Sequence, residues 1–228
     1  MKLSISMTRR ERLLGWSYLL ICMFVLPTAL NFLNGLLKNP LSATEVNLVF
    51  FGMNFTAAMV IFHGFLYASL LQAKENLWKC LIAAIQGFLI HRAGIILFTV
   101  ITTKLCPDFS NANDENIIGL FREHSALLGL ATVFLAPVYE ELLYRGLLFQ
   151  EFQRKNRLLA YALSAGVFSA IHVIGYIGLY DPLSLVLCFA QYLPAGIALA
   201  WAYEKSDTIV TPMMMHIIIN TIGIAVLR

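Results

Sequence analysis

Charge is what this sequence has least of. Of its 228 residues, 13% are Asp, Glu, Lys or Arg and 59% are hydrophobic. Soluble globular domains carry about a quarter charged residues, so an ordinary water-facing surface is excluded and the bilayer is the expected solvent. The formal net charge of +3 is too small to argue for nucleic acid, and no such partner is expected. Cysteine is also sparse. Cys22, Cys80, Cys106 and Cys188 include no Cys-x-x-Cys pair, so they read as small apolar fillers and not as a disulfide framework or a metal site. The chain has no Gly-x-Ser-x-Gly elbow and no compact His-Glu-x-x-His, and no serine or cysteine nucleophile stands out. The aspartates Asp108, Asp114, Asp181 and Asp207 fall between the apolar runs, which disfavours a paired-aspartate intramembrane protease. The first apolar run lacks the short core and small-residue cleavage site of a signal peptide, so it is expected to stay as a helix.

What is abundant is long apolar stretches. About 20 such residues span a bilayer as a helix, and seven runs qualify: 13–37, 46–72, 78–103, 118–139, 158–179, 183–203 and 208–227. The expected fold is all-α, a polytopic transmembrane bundle of about seven spans, or eight with a re-entrant segment. Arg122, Glu123 and His124 make the start of the fourth run the most polar, and its helix could continue to about Phe152. The longest connection, 102–116, holds Pro107, Ser110, Asn111, Asn113 and Asp114, all turn formers. It divides a three-span N-terminal region, 1–105, from a four-span core, 118–228. Basic residues gather in the N-terminus (Lys2, Arg9, Arg10, Arg12), at Lys74 and Lys79, at Arg154, Lys155 and Arg157, and at Lys205. The other side holds Lys38, Lys104 and Arg228 beside Glu45, Asp108, Asp114, Glu115 and Asp181. The positive-inside bias then puts the N-terminus in the cytoplasm.

In the continuation of the fourth run, and inside the fifth and seventh, sit polar residues at one-turn spacing: Glu140/Glu141 with Arg145, Phe168 with His172, and His216 with Asn220. Charged side chains cost about 2.5–3.5 kcal/mol each at mid-helix on insertion scales, so a function is expected of them. Glu141 and Arg145, four apart, share a face and can pair. Glu140 is rotated by about 100° from Glu141, so one carboxylate can be neutralised while the other stays available as a base. The bland alternative for this segment is a helix end with Glu and Arg solvated. Isolated histidines such as His63 and His91 read as core residues with one hydrogen bond, and His172 alone would read no differently. His216 and Asn220 project into the same space, although a single such pair is also ordinary packing glue. Pro137 and Pro212, one turn before Glu140 and His216, free backbone carbonyls.

Together these residues suit hydrolysis. A Glu can deprotonate water that a His holds, while a second His and an Asn donate to an oxyanion. A Glu with two His also matches a catalytic zinc set, and spacing does not separate the two. The order Glu-Glu-x-x-x-Arg, Phe-x-x-x-His, His-x-x-x-Asn over roughly Val133 to Asn220 resembles the CPBP family of CAAX proteases and bacteriocin-processing (Abi) membrane proteins. The resemblance implies an intramembrane endopeptidase acting on a peptide or lipid-linked protein at the bilayer. It implies Glu140 as the activator of water, His172 as its holder, and His216 and Asn220 as oxyanion donors. Glu141 and Arg145 would support the site, and Phe168 would pack it. It also implies a divalent metal, zinc, on Glu140, His172 and His216 as the alternative to metal-free water activation. The short chain points to a bacterial cytoplasmic membrane and to bacteriocin or signal-peptide maturation, or self-immunity. Two other classes compete: a non-catalytic scaffold binding a membrane partner, and a transporter using His63, His91 and Arg92 as an ion relay.

Overall fold

The computed structural model describes residues 3–227, without the side chains of Ile118, Leu227 and residues 120–125. Lys2 and Arg228 therefore lie outside the described residues, as do the side chains of Arg122, Glu123 and His124. The described chain is all-helical. Helix α1 runs Arg9–Gly35, α2 Ala43–Ile61, α3 His63–Glu75, α4 Leu77–Leu105, α5 112–153, α6 Arg157–Ile171, α7 Pro182–Ser206 and α8 Val210–Leu227. Six stretches are long and apolar enough to cross a membrane: Arg9–Gly35, Ala43–Ile61, Leu77–Leu105, Ala126–Gln153, Arg157–Tyr176 and Pro182–Ser206. The seventh expected span corresponds to the shorter apolar helix Val210–Val226. Large apolar side chains such as Trp78, Leu97, Leu158 and Val186 are exposed on the outside of the bundle, a surface suited to lipid and not to water.

The second expected span, 46–72, is two helices broken at Phe62. The break is stabilised from elsewhere. Glu11 accepts from Thr8 N–H in a capping box at the start of α1, and its other oxygen accepts from Phe65 N–H at 2.8 Å. A buried carboxylate thus satisfies one of the backbone donors that a helix start leaves over. The break also moves His63, expected in the core, to an exposed position where its Nδ1 lies 3.1 Å from the Val60 carbonyl. His91 is buried, but its Nδ1 has no hydrogen-bond partner.

One end of the bundle is stitched together by polar contacts. Ser4 bonds Asp207 through its N–H and hydroxyl, Gln72 reaches the same carboxylate, and Gln150 holds Met7 N–H, the Ile5 carbonyl and the Tyr203 hydroxyl. Arg157 grips Glu204 with two bonds of 2.7 Å. The four basic segments meet at this end. Asp207 turns the chain from α7 to α8 in the left-handed conformation, φ 66°. At the other end Asn111 caps α5 and Asp181 caps α7. Small residues let the inner helices approach closely. A Cβ on Gly196 would lie 2.8 Å from Ala165 Cα in α6, and one on Gly94 would lie 2.7 Å from Pro194 Cβ. The larger of two hydrophobic clusters among the described residues joins the early helices, through Tyr18, Ala58, Phe62 and Phe65, to α5 and α7. The four cysteines are free thiols, with Cys22 and Cys188 buried.

Candidate active site

The first motif sits well inside the bundle. Glu141 lies nine residues from Gln150 on α5, and His216 lies nine residues from Asp207. At 1.5 Å per residue along α8 the site is about 14 Å below the stitched end, a depth comparable with half of a ~30 Å hydrocarbon core. Glu141 and Arg145 are fully buried, so the solvated helix-end reading of this segment does not hold.

The local path of α5 explains how its side chains converge. The helix is π-wound over Ala131–Leu135 and Leu142–Phe149. Such wide turns shift the side-chain register and are frequent at functional sites. Ala136 N–H bonds to the Ala131 carbonyl, the i→i+5 pattern of the first π stretch. The next bond in that series would take Thr132 C=O to residue 137, which is proline and has no N–H. Asn220 supplies the missing donor: its Nδ2 bonds the Thr132 carbonyl at 2.9 Å. The carboxamide of the third motif is thereby fixed against the helix of the first.

Glu141 Oε1 receives Arg145 at 2.7 Å and His216 Nδ1 at 2.8 Å. An ionised carboxylate only accepts, so Nδ1 of His216 carries a proton. The opposite ring nitrogen, Nε2, faces Glu140 at 3.9 Å from Oε2, too far for a direct hydrogen bond. Glu140 Oε2 is buried and has no partner. The two adjacent glutamates are sorted by their bound oxygens: Glu141 Oε1 is held by a cation and an imidazole while its Oε2, like Glu140 Oε2, has no hydrogen-bond partner, and Glu140 meets the imidazole only at 3.9 Å. Arg145 is anchored further by the Gly196 carbonyl at 3.2 Å and stands 4.6 Å over the Phe168 ring.

Phe168 connects the motifs. Its ring meets Tyr144 at 5.8 Å, His172 at 4.7 Å and His216 at 5.6 Å between centroids. His172 ends α6, with its Nδ1 on the Phe168 carbonyl at 2.7 Å. A carbonyl only accepts, so Nδ1 is the donor, and Nε2 of the neutral ring is left as an acceptor. On its other side His172 stacks on Tyr192, centroids 4.2 Å apart and planes 25° apart. The Tyr192 hydroxyl donates to Asp114 and accepts from Asn113.

All six expected site residues lie on helices that pack together, but their contacts are unequal. Glu140, Glu141, Arg145 and His216 form one cluster, His172 adjoins it across Phe168, and Asn220 is turned to Thr132. Among the described residues, no three His, Cys, Asp or Glu side chains converge in a way that could hold a metal ion. Glu140, His172 and His216 are not gathered as closely as zinc bonds of about 2 Å require, so they do not fit zinc in this arrangement. Spacing did not point to Tyr192 or Gly196. A hydroxyl on an otherwise apolar stretch was the available signal for Tyr192, and nothing marked Gly196, which acts through its carbonyl and its lack of a side chain.

Residues 122–222 match the family model described as type II CAAX prenyl endopeptidase Rce1-like. Over this stretch, less than half of the chain, the sequence is similar to that family, which is of the CPBP type. The three CPBP motifs all fall inside the matched segment, on α5, α6 and α8. No curated protein and no solved structure matches the chain. That likeness points to a protease and, with the apolar helices, to an integral multi-pass membrane protein.

Proposed function

We propose that the chain is an intramembrane endopeptidase that hydrolyses a peptide bond of a membrane-associated peptide or lipid-linked protein with water activated by Glu140. The observation that carries this reading is the unpartnered, buried Oε2 of Glu140 beside His216 Nε2, with Glu141 held apart by Arg145. In the reaction, Glu140 takes a proton from water, and the water oxygen bonds to the scissile carbonyl carbon. His172 Nε2 accepts the water's second hydrogen and orients it. The carbonyl electron pair moves to oxygen, which accepts from His216 Nε2–H and from the second hydrogen of Asn220 Nδ2. With Nδ1 set against Glu141, donation from Nε2 requires both ring nitrogens of His216 to carry a proton as the oxyanion forms. The C–N bond then breaks as Glu140 returns its proton to the leaving amine. General acid–base groups of this kind contribute about 10²–10⁴-fold.

The setting is a bacterial cytoplasmic membrane with the basic, stitched end in the cytoplasm. That orientation follows the positive-inside bias. Maturation of a bacteriocin or signal peptide, or self-immunity, suits an enzyme whose site lies at mid-depth. The test compares peptides released by membranes holding wild-type protein and Glu140→Gln protein at equal levels, using mass spectrometry. The expected result is a set of peptides lost in the variant. Full processing by a well-expressed Glu140→Gln protein would leave the non-catalytic scaffold as the better reading.

A further inference from the structure

A cavity of about 280 Å³ opens at the end of the bundle away from the N-terminus, between α4, the connection to α5, and α7. Its walls include Phe98, Thr99, Phe109, Asn111, Asp114 and Gln191. The volume is at the lower limit of ligand pockets, which run from about 300 Å³, so it suits one or two residues of a peptide. Asp114 is the charged side chain among its described lining residues, and no Lys, Arg or His lines it. The carboxylate has two long contacts, Tyr192 hydroxyl at 3.2 Å and Gln191 Nε2 at 3.3 Å, which leave it further acceptor capacity. Asp108, Glu115, Asp181 and Glu45 add negative charge on this side of the chain, against Lys38, Lys104 and Arg228.

A second observation points independently to a ligand. Asn111 is 6% exposed, and its Oδ1 caps α5 by accepting from Asn113 and Asp114 N–H. Its Nδ2 is buried without any partner. A buried N–H donor left unmade is unfavourable, and an incoming carbonyl would satisfy it.

We propose that this cavity is a subsite for a basic residue of the peptide substrate. The Lys or Arg stem lies against Phe98 and Phe109, the cationic head meets Asp114, and the peptide carbonyl accepts from Asn111 Nδ2. Long basic side chains are suited to such a site, because an apolar stem and a charged head are satisfied separately. Burial raises the Asp114 pKa above the ordinary aspartate value, against the two hydrogen bonds, and a bound cation would relieve that penalty. The subsite is coupled to the chemistry by position. Tyr192 stacks on His172 and touches Asp114, so carboxylate and imidazole are at most about 10 Å apart, the reach of about three extended residues. The basic residue would then stand two or three positions from the scissile bond.

This inference rests on the peptidase reading, and its test separates the two. Binding is measured on Glu140→Gln protein in nanodiscs with fluorescent Leu/Ala decapeptides carrying either one lysine or one norleucine at the same position. The lysine peptides are expected to bind at least tenfold more tightly at a position near the middle. Asp114→Asn should remove that preference without weakening the norleucine peptides. Thr103→Phe, placed on the exposed rim with Asp114 intact, should remove it by filling the cavity. Equal binding of the two peptide sets, or a preference that survives both substitutions, overturns the subsite. If wild-type protein cleaves such peptides without regard to lysine, the subsite alone falls. If Asp114-dependent binding is present but wild-type protein cleaves nothing, cation recognition stands and the peptidase reading falls.

Discussion

Arg145→Met is the substitution whose outcome follows most directly from the structure. Arg145 is fully buried, bonded to Glu141 at 2.7 Å and to the Gly196 carbonyl at 3.2 Å, and stacked over Phe168 at 4.6 Å. Methionine keeps the length and flexibility of the stem but leaves the Glu141 carboxylate in the core with only His216 beside it. Removing one partner of a buried ion pair costs about 3–5 kcal/mol, because the remaining charge is uncompensated. At roughly 2–4 °C per kcal/mol for a chain of this size, the midpoint should fall by about 6–20 °C. The control is the double variant Arg145→Met/Glu141→Gln. It removes both charges while the Gln carbonyl still accepts from His216 Nδ1–H. Replacing a whole buried pair with neutral groups is often close to neutral, so the double variant should be more stable than the single one. The assay is thermal unfolding of detergent-purified protein, with Glu141→Gln alone completing the cycle. A single variant within about 1 kcal/mol of wild type, a median surface-pair value, would refute the buried-pair argument. A double variant no more stable than Arg145→Met would refute it equally.

Gly196→Ala should destabilise the bundle by about 1–3 kcal/mol as an overpacked contact, because its Cβ would sit 2.8 Å from Ala165 Cα. It should also lower peptide release by moving the carbonyl that anchors Arg145, and unchanged thermal stability would count against the close approach of α6 and α7. Asn220→Ala should cost about 1–3 kcal/mol through the unpaired Thr132 carbonyl as well as reduce turnover. Asn220→Asp cannot donate to that carbonyl when ionised, so it should be no better, and a fully active Asp variant would exclude the donor role. Activity should survive chelation, since Glu140, His172 and His216 do not converge in a metal-holding group. A loss under chelator that is restored by added zinc would overturn that expectation.

Which features were legible in the sequence follows from where their causes lie. The spans were readable because lipid imposes its demand on each segment separately: enough apolar residues to cross, with backbone bonds satisfied within the helix. The Glu141–Arg145 pair was readable for the same reason, since i,i+4 geometry is local. The break at Phe62 was not. It depends on Glu11, more than fifty positions away, reaching Phe65 N–H, and the outward position of His63 follows from that long-range contact. The sorting of the two glutamates was half legible. Helical period separates Glu140 from Glu141, but only the approach of α8 decides that His216 Nδ1 goes to Glu141 and Nε2 toward Glu140. Asn220 shows why a motif carries less than its geometry. His-x-x-x-Asn correctly puts two polar groups on one helix face, and the family reading makes that carboxamide an oxyanion donor. The structure adds a prior obligation, because a π turn ending at Pro137 leaves Thr132 C=O without its backbone partner and Asn220 takes it. A side chain with two N–H donors can meet both demands, one toward the helix and one toward substrate. A serine at 220 could not, and that difference supplies a reason for an amide at this position that the spacing alone does not.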